Sequence, residues 1–183
     1  MKAAVCAAWT IALVVILSGP CRPAAAAAKE YLTPKEIEEI QDAQEIDKRI
    51  KIYLEAAALR LKTAEERLNG KESAAGDPLE FFGPEEMLEG YYQILRSVML
   101  NLDDAFQKPR GDKDTIGKTL KNLKDSTEKA EKSLAILKKM AEDKRLEEVW
   151  NQVNKAIDIT RGAHEGAELG LSRQPSPAKK KGT

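Results

Sequence analysis

Ile116, Leu120, Leu123, Thr127, Ala130, Leu134, Leu137 and Ala141 follow one another in alternating steps of four and three. Lysine, glutamate and aspartate fill most positions between them. That spacing sets every apolar residue on one stripe of a 3.6-residue helix, whereas a half-buried strand would need alternation of period two. The stripe holds for nearly four heptads, a coiled-coil-like seam that must be laid against other helices to leave water. Opposite charges four apart, such as Glu128 and Lys132, read as a solvated outer face. No other stretch carries a convincing strand alternation, so the expected class is all-α.

Three more segments repeat the pattern. Thr33, Pro34 and Glu36 make a capping box with proline at the first helical position. From there Ile37, Ile40, Ala43, Ile46, Ile50, Tyr53, Ala57, Leu61, Ala64 and Leu68 carry the stripe to Asn69-Gly70, which stops it. One helix over 34–69, about 50 Å long, is expected. Gly83-Pro84-Glu85-Glu86 opens a second over 84–107, with carboxylates where the helix dipole favours them. Leu88, Tyr91, Leu95, Val98, Leu102 and Ala105 then keep heptad spacing. The third is the seam already described, over 113–141.

Beyond Ala141 the phase fails. Continuing the seam would bring Lys144, Glu148 and Gln152 inward, yet Leu146, Val149, Val153, Ala156 and Thr160 carry the apolar face on nearly the opposite side. A tight turn at Glu142–Asp143 and a fourth helix over 144–171 follow, with Gly162, Gly166 and Gly170 weakening its last turns. Two short connections and one longer one make an antiparallel up-down four-helix bundle the expected architecture. A three-helix core with a loose fourth helix is the alternative.

The N-terminus has a different composition. Met1-Lys2 precedes an uncharged, mostly apolar run from Ala3 to Leu17, which has signal-peptide length and is short for a bilayer span. Ser18, Gly19, Pro20 and Pro23 break any helix, and Ala26-x-Ala28 before Lys29 offers a small-x-small cleavage site. Residues 1–28 therefore read as a cleaved signal peptide, 29–171 as the helical domain, and 172–183 as a disordered basic tail without large apolar residues. A lipid anchor on Cys21 would want a small residue before it and an aliphatic one at minus three. Pro20 and Ser18 stand there instead. Cleavage near Ala28 removes both cysteines, Cys6 and Cys21, and leaves no transmembrane anchor. Lys2 and Arg22 leave too, so the 30 acidic residues outnumber the remaining basic ones of the original 30. No basic excess points to nucleic acid. The expected destination is the periplasm or the secreted fraction.

Chemistry has little footing in this chain. A carboxylate-bridged di-iron bundle needs paired Glu-x-x-His motifs, but the chain has one histidine, His164, and position 161 is Arg161. Covalent haem needs cysteines that the exported chain would lack. Met87, Met99 and Met140 sit at helical positions where gap-filling is the usual role. Glu38-Glu39, Asp103-Asp104 and Glu147-Glu148 are adjacent on helices and point apart. Asp103, Asp104, Asp112 and Asp114 gather near one end without an EF-hand spacing. No nucleophile, base and oxyanion set converges. The expectation is no enzyme, no catalytic residue, no cofactor and no metal.

Two features suggest contact instead. Leu79, Phe81 and Phe82 give the 70–83 loop an apolar tip, either an exposed anchor for a partner or a plug for one end of the helices. Lys179, Lys180 and Lys181 could touch an anionic surface weakly and in a salt-sensitive way.

The stretches DAQEIDKRIKIYLEAAALRL, ILRSVMLNLDDAF and AIDITRGAHEGAEL together resemble a recurrent group of exported all-helical bacterial proteins of unknown function. That resemblance implies export and a helical fold, with no activity attached. LTPKEIEEIQ is similar to the Leu-Thr-x-x-Gln pattern of periplasmic stress-response helical proteins, with Glu36 standing where that pattern has glutamine. The expected function is a non-enzymatic envelope protein with an interaction or structural role, whose partner is an envelope protein or itself. A chaperone-like or metal-responsive periplasmic protein is one alternative, and a cofactor-binding bundle is another.

Overall fold

The computed structural model describes residues 31–107 and 113–173; these form five α-helices and, among the described residues, no strand. They are α1 (Pro34–Asp42), α2 (Ile46–Leu68), α3 (Pro84–Gln107), α4 (Lys113–Asp143) and α5 (Glu147–Ser172). The all-α class expected from periodicity is what the chain adopts. Residues 1–30, 108–112 and 174–183 lie outside the described residues, and with them the expected signal peptide, the KPRGD segment between the second and third expected helices, and nearly all of the expected basic tail. Among the described residues no helix is long and apolar enough to cross a membrane.

The first helix differs from expectation. In place of one rod over 34–69 there are two helices, α1 and α2, separated by extended backbone at Ala43. The capping box forms as read: Glu36 N–H donates to Thr33 Oγ1 at 3.2 Å and Thr33 N–H to Glu36 Oε2 at 2.7 Å. No proline or glycine marks the break, and the apolar stripe stays in phase across it. A contact with a distant part of the chain decides the matter. Arg60, 24 residues on, donates Nη2 to Glu36 Oε2 at 2.6 Å and Nη1 to Oε1 at 3.1 Å. In a straight helix those residues would be about 36 Å apart, so α1 must fold back along α2. Arg49 closes the corner by donating Nε and Nη2 to the Ala43 carbonyl at 3.3 and 3.0 Å.

The other ends follow local chemistry. Gly70 takes a positive φ of 77° just past the Asn69 cap of α2, where a side chain would be strained. The turn into α5 lies at 144–146, slightly later than the expected 142–143. There Leu146 N–H returns to Ala141 O at 2.9 Å and Arg145 N–H to Glu142 O at 3.1 Å. Those two bonds make a Schellman motif, with Arg145 at φ 55° in the place where glycine is usual.

Packing pairs the helices as α2 with α3, α4 with α5, α2 with α4, and α3 with α5, while α1 lies on α2. Arg67 reaches the Phe82 carbonyl and Lys124 reaches Glu168, so α2–α3 and α4–α5 are antiparallel hairpins. Lys144 Nζ donates to the Leu68 carbonyl, bringing the ends of α2 and α4 together. The two hairpins thus lie side by side with like-directed helices adjacent. Consecutive α3 and α4 make no extended contact. The α4 seam buries as its spacing foretold: Leu134 and Leu137 are fully enclosed, each contributing about 2 kcal/mol by leaving water. On α5 the buried face is small, with Ala156, Thr160, Ala163 and Ala167, and the larger Tyr91 of α3 fills the space opposite Thr160.

Candidate functional site

The loop joining α2 to α3 places the three apolar residues singled out above in three different situations. Leu79 is buried, Phe82 is half-buried and packs against the core, and Phe81 is 84% exposed. Plug and exposed tip are therefore both present, divided among neighbouring residues. What holds Phe81 outward is Arg67, in the last turn of α2. Its guanidinium donates Nε to Phe82 O at 3.3 Å, Nη1 to Lys71 O at 3.0 Å, and Nη2 to Leu79 O at 3.1 Å and Ser73 Oγ at 2.5 Å. A planar fork with five donors holds these four acceptors at once in fixed directions, more than the three freely rotating donors of a lysine could. Carboxylates secure the rest: Asp77 accepts from Leu79 N–H at 2.8 Å, Glu80 from Gly76 N–H at 2.8 Å and Glu86 from Gly83 N–H at 2.6 Å. The loop is thus internally bonded, and its one large apolar side chain left fully in solvent is the aromatic Phe81. Nothing in the spacing around Arg67 could have revealed its role, because its partners lie 4 to 15 residues away in an irregular segment.

The turn from α4 to α5 sits at the same end of the molecule. Residues 71–86 and 142–148 hold nine carboxylates against three cations. Two of those cations are engaged internally: Lys71 with Glu66 at 2.7 Å and Lys144 with the Leu68 carbonyl. The hydrogen bond from Lys71 holds the Glu66 carboxyl below its ordinary value.

A concave feature lies between α2 and α4, a cleft of about 400 Å³. Leu54, Ala57, Leu61 and Ala130 line it and Tyr91 and Leu95 reach it from α3, with Lys51, Glu55, Asp125 and Lys129 also in its lining. Small side chains on both facing helices leave the space open. That volume and an apolar floor fall within the range of small-molecule sites. Periodicity could not have found it, because a cleft depends on which two faces meet.

His164 is not part of that cleft lining. Its Nδ1 lies 3.0 Å from Thr127 Oγ1 and its Nε2 3.6 Å from Glu168 Oε1, across the α4–α5 seam. Lys124 also reaches Glu168 at 2.7 Å; this pairing raises the lysine and, with His164 adding to it, lowers the carboxyl. The histidine is thus hydrogen-bonded to Thr127 through Nδ1, while Nε2 faces the Glu168 carboxylate. Glu38, Glu39, Asp103, Asp104, Glu147 and Glu148 are all exposed. Among the described residues no group of three or more His, Cys, Asp or Glu could hold a metal ion; Asp112 lies outside them. Trp150 is occupied at the surface, donating Nε1 to Glu142 at 3.1 Å with Lys138 Nζ 5.5 Å from its ring centre.

No family model, curated protein or solved structure matches the chain.

Proposed function

We propose that the chain is a non-enzymatic protein of the cell envelope, exported by a cleaved signal peptide over residues 1–28, that acts through contact with a macromolecular partner. Its architecture in this reading is a four-helix bundle made of two antiparallel hairpins, with α1 as a strap along α2. Phe81 carries the proposal. An aromatic ring held in solvent by a loop with its own hydrogen-bond frame is preorganised for contact, and preorganisation lowers the entropic cost of binding. The resemblance to exported helical proteins supports the compartment.

A photo-crosslinking amino acid at position 81 tests the reading in living cells, with Leu100 as the control because it is also large, apolar and 59% exposed. A discrete adduct from position 81 and none from position 100 is expected. Equal labelling from both positions, or none from either, overturns it.

The α2–α4 cleft favours a second reading, a ligand-binding bundle. Its test is mass spectrometry of an organic extract of the purified protein, compared with Ala130→Leu, which fills the cleft. A compound that co-purifies with the wild type and is lost in the variant supports this reading; no difference removes it.

A further inference from the structure

The contact reading of the Phe81 end can be taken further, to the identity of the partner. We infer that the partner is a second copy of this chain, whose basic tail docks on the acidic, Phe81-bearing end, giving head-to-tail association. This rests on the proposal that Phe81 is a contact residue.

The first argument is charge. The end that presents Phe81 carries nine carboxylates against three cations over 71–86 and 142–148; of those cations only Arg145 shares a surface hollow with Glu85, Glu147 and Glu148, so the end stays acidic with Arg145 counted. Helices α2 and α4 finish at this end while α3 and α5 begin there, so their dipoles offset one another and side-chain charge sets the field. The opposite sign leaves the other end of the molecule. From Arg173 to Thr183 the sequence RQPSPAKKKGT carries four cations and no carboxylate.

The second argument is reach. Helix α5 is 26 residues long, or about 39 Å, and runs from the acidic end to the start of the tail. Even fully extended, the chain from Arg173 to Lys181 spans at most about 28 Å. The lysine backbones therefore fall about 11 Å short of that end of their own molecule even with the tail drawn straight along α5, so contact within one molecule would demand a fully stretched tail. The lysines can meet that end of another molecule.

The third argument is that the tail suits both parts of the surface. Pro175, Pro177 and Ala178 offer apolar surface to the Phe81 ring, lysines can lie over an aromatic face, and the remaining cations face the carboxylates. A contact between two different patches does not close on itself and builds open chains. Because it joins exposed charges, it must weaken as salt shortens the screening length.

Analytical ultracentrifugation tests this on protein expressed from the full-length sequence and purified as the cell processes it. In about 20 mM salt the weight-average mass should climb past twice the monomer with concentration, and in about 500 mM salt it should fall back to the monomer. Phe81→Ser, and separately the triple change Lys179→Gln, Lys180→Gln and Lys181→Gln, should each abolish the increase. Mixing the two variants should give dimers and nothing larger, since together they supply one intact head and one intact tail.

Three results would overturn the inference. The wild type stays monomeric in low salt, the triple variant associates like the wild type, or the tail binds phosphatidylglycerol vesicles while no self-association occurs. If position 81 crosslinks a different protein while sedimentation shows only monomer, the contact reading stands and the second-copy inference alone falls.

Discussion

Tyr91 and Thr160 meet in the middle of the molecule, both almost wholly enclosed, with their oxygens 2.6 Å apart. The Thr160 hydroxyl also lies 2.6 Å from Ala156 O and donates its single proton there, so the phenol must be the donor to Thr160. The two partners are therefore not equivalent. Tyr91→Phe removes one hydrogen bond and leaves only a hydroxyl lone pair unused, and should cost about 1 kcal/mol in urea unfolding. Thr160→Val strands a buried phenol proton and should cost more, about 2–3 kcal/mol. Equal losses would contradict the assignment of donor. Burial also raises the Tyr91 phenol well above the usual 10.0, with the Thr160 bond opposing part of that rise. A raised acid favours the folded state below the unfolded value and loses that advantage as pH climbs past it. Above pH 10 the unfolded phenol ionises first, and Tyr91 should remove about 1.4 kcal/mol of stability per pH unit. Tyr91→Phe should flatten that alkaline limb by the same slope. The apolar spacing put both residues on buried faces, but period alone does not say which faces oppose each other. The pairing was therefore not legible.

At the scale of elements, the break between α1 and α2 is the clearest case of a distant contact overriding a local pattern. Arg60 and Glu36 are nearly enclosed, their side chains 3% and 13% exposed. Removing one member of such a pair leaves the other charge without compensation. Glu36→Ala should therefore cost about 3 kcal/mol, or release α1, and hydrogen exchange should quicken over 34–42 while α4 and α5 stay protected. Replacing both residues with methionine should restore most of the loss, because the desolvation of two charges goes with them. If Glu36→Ala alone is neutral, the pair does not hold α1 down. The turn after α4 gives a prediction of opposite sign. Arg145 occupies left-handed backbone at φ 55°, a conformation costing a side chain roughly 1 kcal/mol. Arg145→Gly should raise the thermal midpoint; a lower midpoint would mean that the Arg145 side chain contributes more than the backbone strain costs. The change of stripe phase announced this turn, whereas its residue-level position did not show, because no glycine marks it.

For the whole molecule, the proposed export has a direct chemical consequence. Cys6 and Cys21 both precede Lys29, so protein recovered from the envelope should contain no titratable thiol and should begin near residue 29 by intact mass. A thiol in that material would sink the signal-peptide reading. The arrangement of helices is a different kind of fact. The four apolar seams, the caps and the stops are properties of residues a few positions apart, so helix formation and the all-α class could be derived from the chain alone. Side-by-side packing of the two hairpins, the folding back of α1 and the outward Phe81 frame depend on pairs such as Leu68 with Lys144, Glu36 with Arg60, and Arg67 with Phe82. The energies of those pairs arise only after distant segments have come together. A one-dimensional period records which side of a helix avoids water, but only the folded chain decides what that side meets.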